Sequence, residues 1–132
     1  LGTTATIQCP INGGPVLDFI TLEVINSTPA PLAADFLISD DPLITQEELL
    51  AFGEPVLLDA DAGEIVSVDI DCVDAAALIL DIAELLVEDG GIIGTNILYL
   101  DEDYFCGEII SFEFTASNDL TELSLDVAFF TE

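Results

Sequence analysis

The chain of 132 residues contains no lysine, arginine or histidine, and these absences restrict its chemistry more than any motif does. Without side-chain cations the protein cannot displace counterions from nucleic-acid phosphates, and it cannot bind an anionic membrane through a basic patch. Ser-His, Cys-His and Schiff-base catalysis are excluded, as are histidine metal ligands. We therefore expect no nucleic-acid partner.

Further absences narrow the enzymatic options. Tryptophan is absent and there are only two tyrosines, so the aromatic platforms on which sugars stack are scarce. The glycine-rich stretch at residues 90–94 lacks the lysine and the spacing of a phosphate-binding loop. A carboxylate pair, as in glycoside hydrolysis, is the remaining catalytic device. Because carboxylates are abundant throughout this chain, two of them at a suitable separation would occur by chance, so such a pair is not evidence of catalysis. We expect no enzyme.

Long hydrophobic runs are also missing. Residues 1–17 are uncharged, but threonine, glutamine, asparagine, glycine and proline make this run too polar, and it is short for a membrane span. We expect no membrane insertion.

What the chain has in excess is carboxylate. Its 27 aspartate and glutamate residues give a formal charge of −27, while hydrophobic residues make up 52% of the sequence. That content is sufficient for a folded core in a single domain, which we place at residues 16–132. Because no side chain can form a salt bridge with a carboxylate, only metal cations, salt or protonation can relieve the repulsion.

Four stretches alternate apolar and polar residues with the period of two that is typical of half-buried strands. Their apolar rows run over residues 20–24, 66–72, 110–116 and 123–129. Strands with one apolar face need a shared core, which two packed antiparallel sheets supply. We expect a mainly β protein, an antiparallel sandwich of jelly-roll type. One short helix is predicted by the capping box of Thr45 and Glu48 and by the terminal Gly53.

Residues 75–88 fit two structures. Read as a helix, this stretch would be capped by Asp74 and ended by Gly90, and the fold would become α+β. Read as a strand over 77–87, it would continue the sheet. We choose the strand, because strands flank this stretch and sheet context often overrides propensity.

Residues 1–15 are predicted to form an extended arm and a hinge. Thr3, Ala5, Ile7 and Cys9 belong to a run rich in β-branched residues that is typical of a strand. Residues 10–15 are almost all turn formers and separate this run from the body. Two interpretations stay open: an edge strand of its own domain, or an arm that adds to the sheet of a neighbouring subunit.

Three cysteines cannot all pair within one chain. Cys72 and Cys106 end and begin predicted strands and could meet across the sandwich, whereas Cys9 lies in the arm. If these two pair, an oxidised subunit keeps Cys9 either as a free thiol or bonded to another chain, and the intersubunit bond we consider joins Cys9 to Cys72 or Cys106 of a neighbour. The alternative is that all three thiols stay reduced and buried. The sequence also holds one weak modification signal, because Asn26 opens an N-glycosylation sequon that Pro29 follows.

Calcium is the one cofactor that the sequence suggests. Asp59 and Asp61 precede Gly63 as in the opening of a calcium loop, but Ile70 stands where the loop needs glutamate. An ordinary acidic turn explains the same residues. A calcium site would need a second loop, and the run that contains Asp101 and Asp103 is the candidate.

These features together lead us to expect a secreted, self-assembling structural subunit of an extracellular filament, sheath or surface layer. A chain without lysine or arginine offers trypsin-like proteases no cleavage site, which suits a location outside the cell or at its surface. Its main partner would be another copy, joined by the arm and by disulfides, with divalent cations as further partners. The alternative is a monomeric acidic module that binds calcium or an adhesion partner.

The charge leads to a prediction about salt. Raising sodium chloride from 0.01 M to 1 M shortens the Debye length from about 30 Å to about 3 Å, which screens the carboxylates from one another. We expect the melting temperature, measured by calorimetry at pH 7, to rise with salt and also with added calcium. A melting temperature that stayed flat or fell under both additions would contradict this expectation.

Overall fold

The protein, seen in a computed structural model that describes residues 19–131, is a two-layered β-sandwich. The strands within that range are β1 (Phe19–Asn26), β2 (Leu32–Ser39), β3 (Glu54–Ala60), β4 (Ile65–Asp71), β5 (Ala77–Leu85), β6 (Ile92–Ile93), β7 (Leu98–Tyr99), β8 (Glu108–Ala116) and β9 (Leu123–Thr131). One helix, α1 (Gln46–Phe52), connects β2 to β3. The predicted mainly β sandwich with one short helix is confirmed.

The first sheet has the strand order β4-β1-β8-β9, and the second has the order β3-β2-β5, with both β6 and β7 paired to the far edge of β5. All pairs are antiparallel except β1 with β8, which run parallel. This pair departs from the all-antiparallel prediction. Because β1 and β8 are far apart in sequence, no hairpin fixes their relative direction.

The four alternating stretches identified in the sequence form the whole first sheet. Their apolar rows face the second sheet and are closed to solvent at the centre, in β1 and β8. The rings of Phe36 in β2 and Phe112 in β8 pack edge to face across the sandwich, with centroids 5.0 Å apart. This row of side chains is the core that holds the two sheets together.

The first half of strand β5, residues 77–80, is buried on both faces. Leu78 and Leu80 point into the sandwich core, whereas Ala77 and Ile79 lie under α1 on the outer face of the second sheet. A strand covered on both sides loses its apolar–polar alternation, which explains why its sequence also fitted a helix. The strand prediction for this stretch is confirmed, and the strand ends two residues earlier than predicted.

Helix α1 begins and ends as its sequence indicates. Thr45 Oγ1 accepts a hydrogen bond from Glu48 N, and Glu48 Oε1 accepts one from Thr45 N. Gly53 N donates to Leu49 O at the other end. The helix places Leu49 over β5, so the second sheet has no large open apolar face there.

Candidate assembly surface

The predicted arm residues Thr3, Ala5, Ile7 and Cys9 lie outside the described residues, and so does the hinge after them. An arm of this kind acts on a sheet edge, because an edge presents backbone N–H and C=O groups that have no strand partner. The described part of the chain contains such edges on both sides of the sandwich: β3 and β4 on one side, and β6, β7 and β9 on the other.

The edge formed by β3 and β4 carries features that discourage pairing with another strand. Pro55 lies in β3 and cannot donate a ladder hydrogen bond, and Glu54 precedes it. Asp69 and Asp71 lie in β4, with exposed side chains. Charges and proline on edge strands are the usual protection against addition of a further strand. This side of the sandwich is therefore a poor acceptor.

Strand β9 lacks this protection. Its nine residues pair with β8 without a bulge, from Glu108 opposite Thr131 to Ala116 opposite Leu123. It contains no proline, and its one carboxylate is Asp126. Within residues 19–131, no strand pairs with its other edge. A long, regular edge strand with so little charge is exposed to pairing with another chain.

The core-facing row of β9 also becomes progressively less covered along the strand. Leu123 is only 8% exposed, but Val127 is 38% exposed and Phe129 is 40% exposed. These residues lie opposite Phe112 and Ile110 of β8, which are fully buried, so they belong to the same inner face. The sandwich is thus open along the second half of β9.

Gly91 explains why the first half of β9 is closed. Its N–H donates to Leu120 O, and its carbonyl accepts from Leu85 N, which ties the second sheet to the start of β9. The contact is so close that a Cβ on Gly91 would lie 2.6 Å from Leu123 N. Beyond this point the described residues make no such tie to β9, and its inner row becomes exposed.

The outer face of the same strand end is also apolar. Phe130 points away from the core and is 52% exposed, so Phe129 and Phe130 expose one large ring on each face of β9. The alternation in the sequence predicts one wet face for β9, and the exposed ring of Phe130 on that face departs from this prediction. The available signal was the pair of consecutive phenylalanines at the end of an otherwise alternating strand.

Three carboxylates on the outer face of the first sheet accept hydrogen bonds from hydroxyl groups. Thr21 Oγ1 donates to Asp69 at 2.7 Å, and Ser111 Oγ donates to Glu23 at 2.9 Å. Ser27 Oγ donates to Glu113 at 3.0 Å. Asp126 differs, because its cross-strand neighbour is Glu113, another carboxylate. Like charges directly opposite each other in a sheet are destabilising.

In the turn before β9, hydroxyl groups rather than cations are again the partners of a carboxylate. Asp119 accepts hydrogen bonds from the hydroxyls of Ser117 and Thr121, both at 2.8 Å. The Thr121 and Ser117 hydrogen bonds hold the pKa of Asp119 below its ordinary value. Because the folded pKa is lowered, these bonds stabilise the fold above the ordinary carboxyl pKa, and this stabilisation is lost as pH falls through the lowered value.

The structure joins two of the three cysteines within one chain. Cys72 and Cys106 form a disulfide with a Cα–Cα distance of 5.8 Å, linking the end of β4 to the segment before β8. Both strands belong to the first sheet, on either side of β1, so the bond does not cross the sandwich. The hypothesis that Cys9 bonds to Cys72 or Cys106 of a neighbour is therefore wrong as stated, because these two cysteines already have a partner.

Tyr104 reinforces this end of the sandwich. Its hydroxyl donates to Ala75 O, which ties the segment after Cys72 to the segment before Cys106. The side chain is fully closed to solvent. Burial raises the pKa of Tyr104, and the charges of Asp103 and Asp101 raise it further, which favours the protonated hydroxyl that donates to Ala75 O.

The acidic loops proposed for calcium lie at opposite ends of the sandwich. The turn that follows Asp59 and Asp61 is held at the end of β1, where Asn26 N donates to Glu64 O. The segment with Asp101 and Asp103 precedes Gly107, whose N–H donates to Phe19 O at the beginning of β1. The length of β1 separates them by roughly 23 Å, so they cannot share an ion.

The acidic groups form no other metal site that we can assign. Within residues 19–131, no group of three or more His, Cys, Asp or Glu side chains is placed to hold a metal ion. A cavity of about 230 Å³ is lined by Ile38, Ser39, Asp40, Phe52, Glu54 and Asp74. It is open to solvent and offers carboxylates and one hydroxyl, so it gives no specific support to a hydrolase.

Asn26 is not a glycosylation site in the folded protein. Its side chain is buried, and its Nδ2 donates to the carbonyl oxygens of Ala30, Ala60 and Asp61 at 2.8, 3.1 and 3.0 Å. Its Oδ1 accepts from the backbone and hydroxyl of Thr28. A glycan on Nδ2 would displace the bonds that tie β1 to the β3–β4 turn. The sequon reflects a structural asparagine followed by a turn-forming threonine.

Comparisons with known proteins supply no function. No family model matches the chain, and no curated protein matches it. Among solved structures, an NMR structure of a protein from Eubacterium rectale aligns with 89% of this chain and 94% of its own length, at 8% sequence identity and a TM-score of 0.49. This likeness is too low to support an argument about function. In the described part of the chain, no helix is long and apolar enough to cross a bilayer.

The contacts of Asn26 lead to a stability prediction. Asn26→Ala leaves three buried or partly buried carbonyls and the Thr28 donors without this partner. We therefore expect the free energy of unfolding to fall by about 2 kcal/mol or more. Asn118→Ala, at an exposed turn position, is the matched control and should change stability by less than about 0.5 kcal/mol. Urea unfolding measures both, and equal effects would contradict the structural role of Asn26.

Proposed function

We propose that the protein is a structural subunit that assembles with copies of itself outside the cell or at its surface. Subunits are joined by strand addition, in which the N-terminal segment of one copy pairs with a sheet edge of the next. The observation that carries this proposal is the edge of β9, which is long, regular, almost uncharged and open on its inner face.

The charge distribution supports contact between copies through this segment. All 27 carboxylates lie in residues 18–132, so residues 1–17 are the longest stretch of the chain without one. Two sandwich bodies of the same negative charge repel each other, and the chain has no cations with which to bridge them. A neutral peptide segment can approach an acidic body without this repulsion, which makes the N-terminal segment the suitable connector.

The energies of strand addition are adequate for assembly. Each backbone hydrogen bond contributes roughly 0.5–1.5 kcal/mol net, and burial of apolar side chains adds about 25 cal/mol per Å². These gains must exceed the cost of association and of ordering the segment, which falls when the acceptor edge is preformed. Strand β9 is already ordered by nine residues of pairing with β8.

Deletion of residues 1–12 tests the proposal directly. We expect the truncated chain to remain a soluble β-rich monomer, because the sandwich core lies within residues 19–131. The full chain should form polymers, and a synthetic peptide of residues 1–12 should bind the truncated chain and raise its melting temperature. Sedimentation velocity separates the two species.

Two results would contradict the proposal. Polymers of the truncated chain would show that assembly does not need the segment. A full chain that stays monomeric across pH, salt and calcium concentrations would instead favour the monomeric binding module.

The disulfide limits what covalent links can do. With Cys72 and Cys106 bonded to each other, each subunit retains Cys9 as its one further cysteine. On a gel run without reductant after boiling in detergent, we expect bands no larger than a dimer of the 14.0 kDa chain. On the same gel, the Cys9→Ala variant should show only the monomer band, and the substitution should not prevent assembly. A ladder above the dimer would show that the Cys72–Cys106 bond opens during assembly.

A further inference from the structure

We infer that the acceptor edge is the second half of β9 and that its occupant is the segment Thr3–Cys9 of a second copy of this chain. This inference rests on the proposed function and adds the site, the partner and the pairing of side chains. It concerns the inner row that ends in Val127 and Phe129 and the outer row that contains Asp126.

The inner row of β9 needs apolar neighbours of modest size. Val127 and Phe129 are each more than a third exposed, and a strand added beside β9 would place one of its own rows next to them. In an extended strand, Thr3, Ala5, Ile7 and Cys9 would share one face. Ala5 and Ile7 can cover the inner face there without a charge entering the core.

The outer row of β9 needs hydrogen-bond donors. Asp126 lies opposite Glu113, whereas Asp69, Glu23 and Glu113 on this sheet face each receive a hydroxyl. The other face of such an extended strand would carry Thr4, Thr6 and Gln8, each of which has a hydrogen-bond donor. An added strand would therefore bring to Asp126 the same kind of partner that Asp69 has in Thr21.

The chain length between the segment and the sandwich permits contact with a neighbour. Residues 10–18 span at most about 30 Å when extended. A four-stranded sheet is roughly 20 Å wide, so a segment that leaves the sandwich at Phe19 can extend past its own sheet.

The uncharged end of β9 distinguishes this edge from the others. Residues 127–131 contain no carboxylate, whereas both β3 and β4 have carboxylates at their ends. Strand β6 is only two residues long and offers little backbone to pair with. Among these edges, the second half of β9 is thus the one where pairing would stabilise an added neutral strand most and where that strand would meet the least electrostatic repulsion.

Cross-linking between two differently labelled copies tests the inference. In a Cys9→Ala background, Thr6→Cys is introduced into one chain and Ala128→Cys into another, and the mixture is treated with a short bismaleimide. Ala128 lies on the outer row of β9, and Cys72 and Cys106 are protected by their disulfide. We expect a cross-linked product at twice the 14.0 kDa subunit mass.

The matched control uses Ser67→Cys, an exposed outer-face position on the opposite edge strand β4. We expect at least tenfold less product with it than with Ala128→Cys. Equal or greater product at Ser67, or no product at either position from a chain that still polymerises, would refute β9 as the acceptor. Assembly through the N-terminal segment would then rest on the deletion of residues 1–12 alone. A product that forms only when both cysteines are in one chain would show that the segment closes on its own domain.

A second pair of variants checks the same edge without cysteines. Phe129→Asp places a charge in the open inner row and should reduce polymer formation at least tenfold, whereas Leu57→Asp, at an exposed position of β3, should leave it unchanged. Circular dichroism confirms that both variants fold. Unchanged polymerisation of a folded Phe129→Asp variant would overturn the inference, while a monomeric wild-type chain would overturn the proposed function itself.

Discussion

The structure depends on one constraint: 27 carboxylates must be accommodated without a single side-chain cation. In the sheet and in the turns, hydroxyl groups and backbone N–H groups serve as partners for some of them, as Thr21 does for Asp69 and Thr45 for Glu48. Neutral donors of this kind avoid the cost of burying an ion pair, but they leave the negative charge in place. In the assembly we propose, contacts between two copies therefore meet least repulsion at the few surfaces that carry no carboxylate.

The sandwich is fixed firmly at both ends of β1. At one end Asn26 binds the neighbouring loop and the β3–β4 turn, and at the other the Cys72–Cys106 disulfide and Tyr104 join the segments around β4 and β8. The second half of β9 has no comparable attachment within residues 19–131. Its exposed rings, on both faces of the strand, contrast with the closed core a few residues away. The assembly we propose would cover this surface.

The sequence predicted much of the fold because alternation and capping are local signals. The four strands of the first sheet follow from their period of two, and α1 follows from Thr45, Glu48 and Gly53. Long-range features were not predictable. The parallel pairing of β1 with β8 and the distance between Asp61 and Asp101 depend on topology. The burial of Asn26 likewise depends on where the β3–β4 turn lies in space, which its sequon does not reveal.

The most direct test of the account is a cryo-electron microscopy map of the assembled protein at a resolution that separates strands. The account predicts continuous strand density beside β9, about 4.8 Å from it, connected to the hinge of a neighbouring subunit. It would be contradicted by an empty β9 edge, or by a strand at that edge that connects to Phe19 of the same subunit.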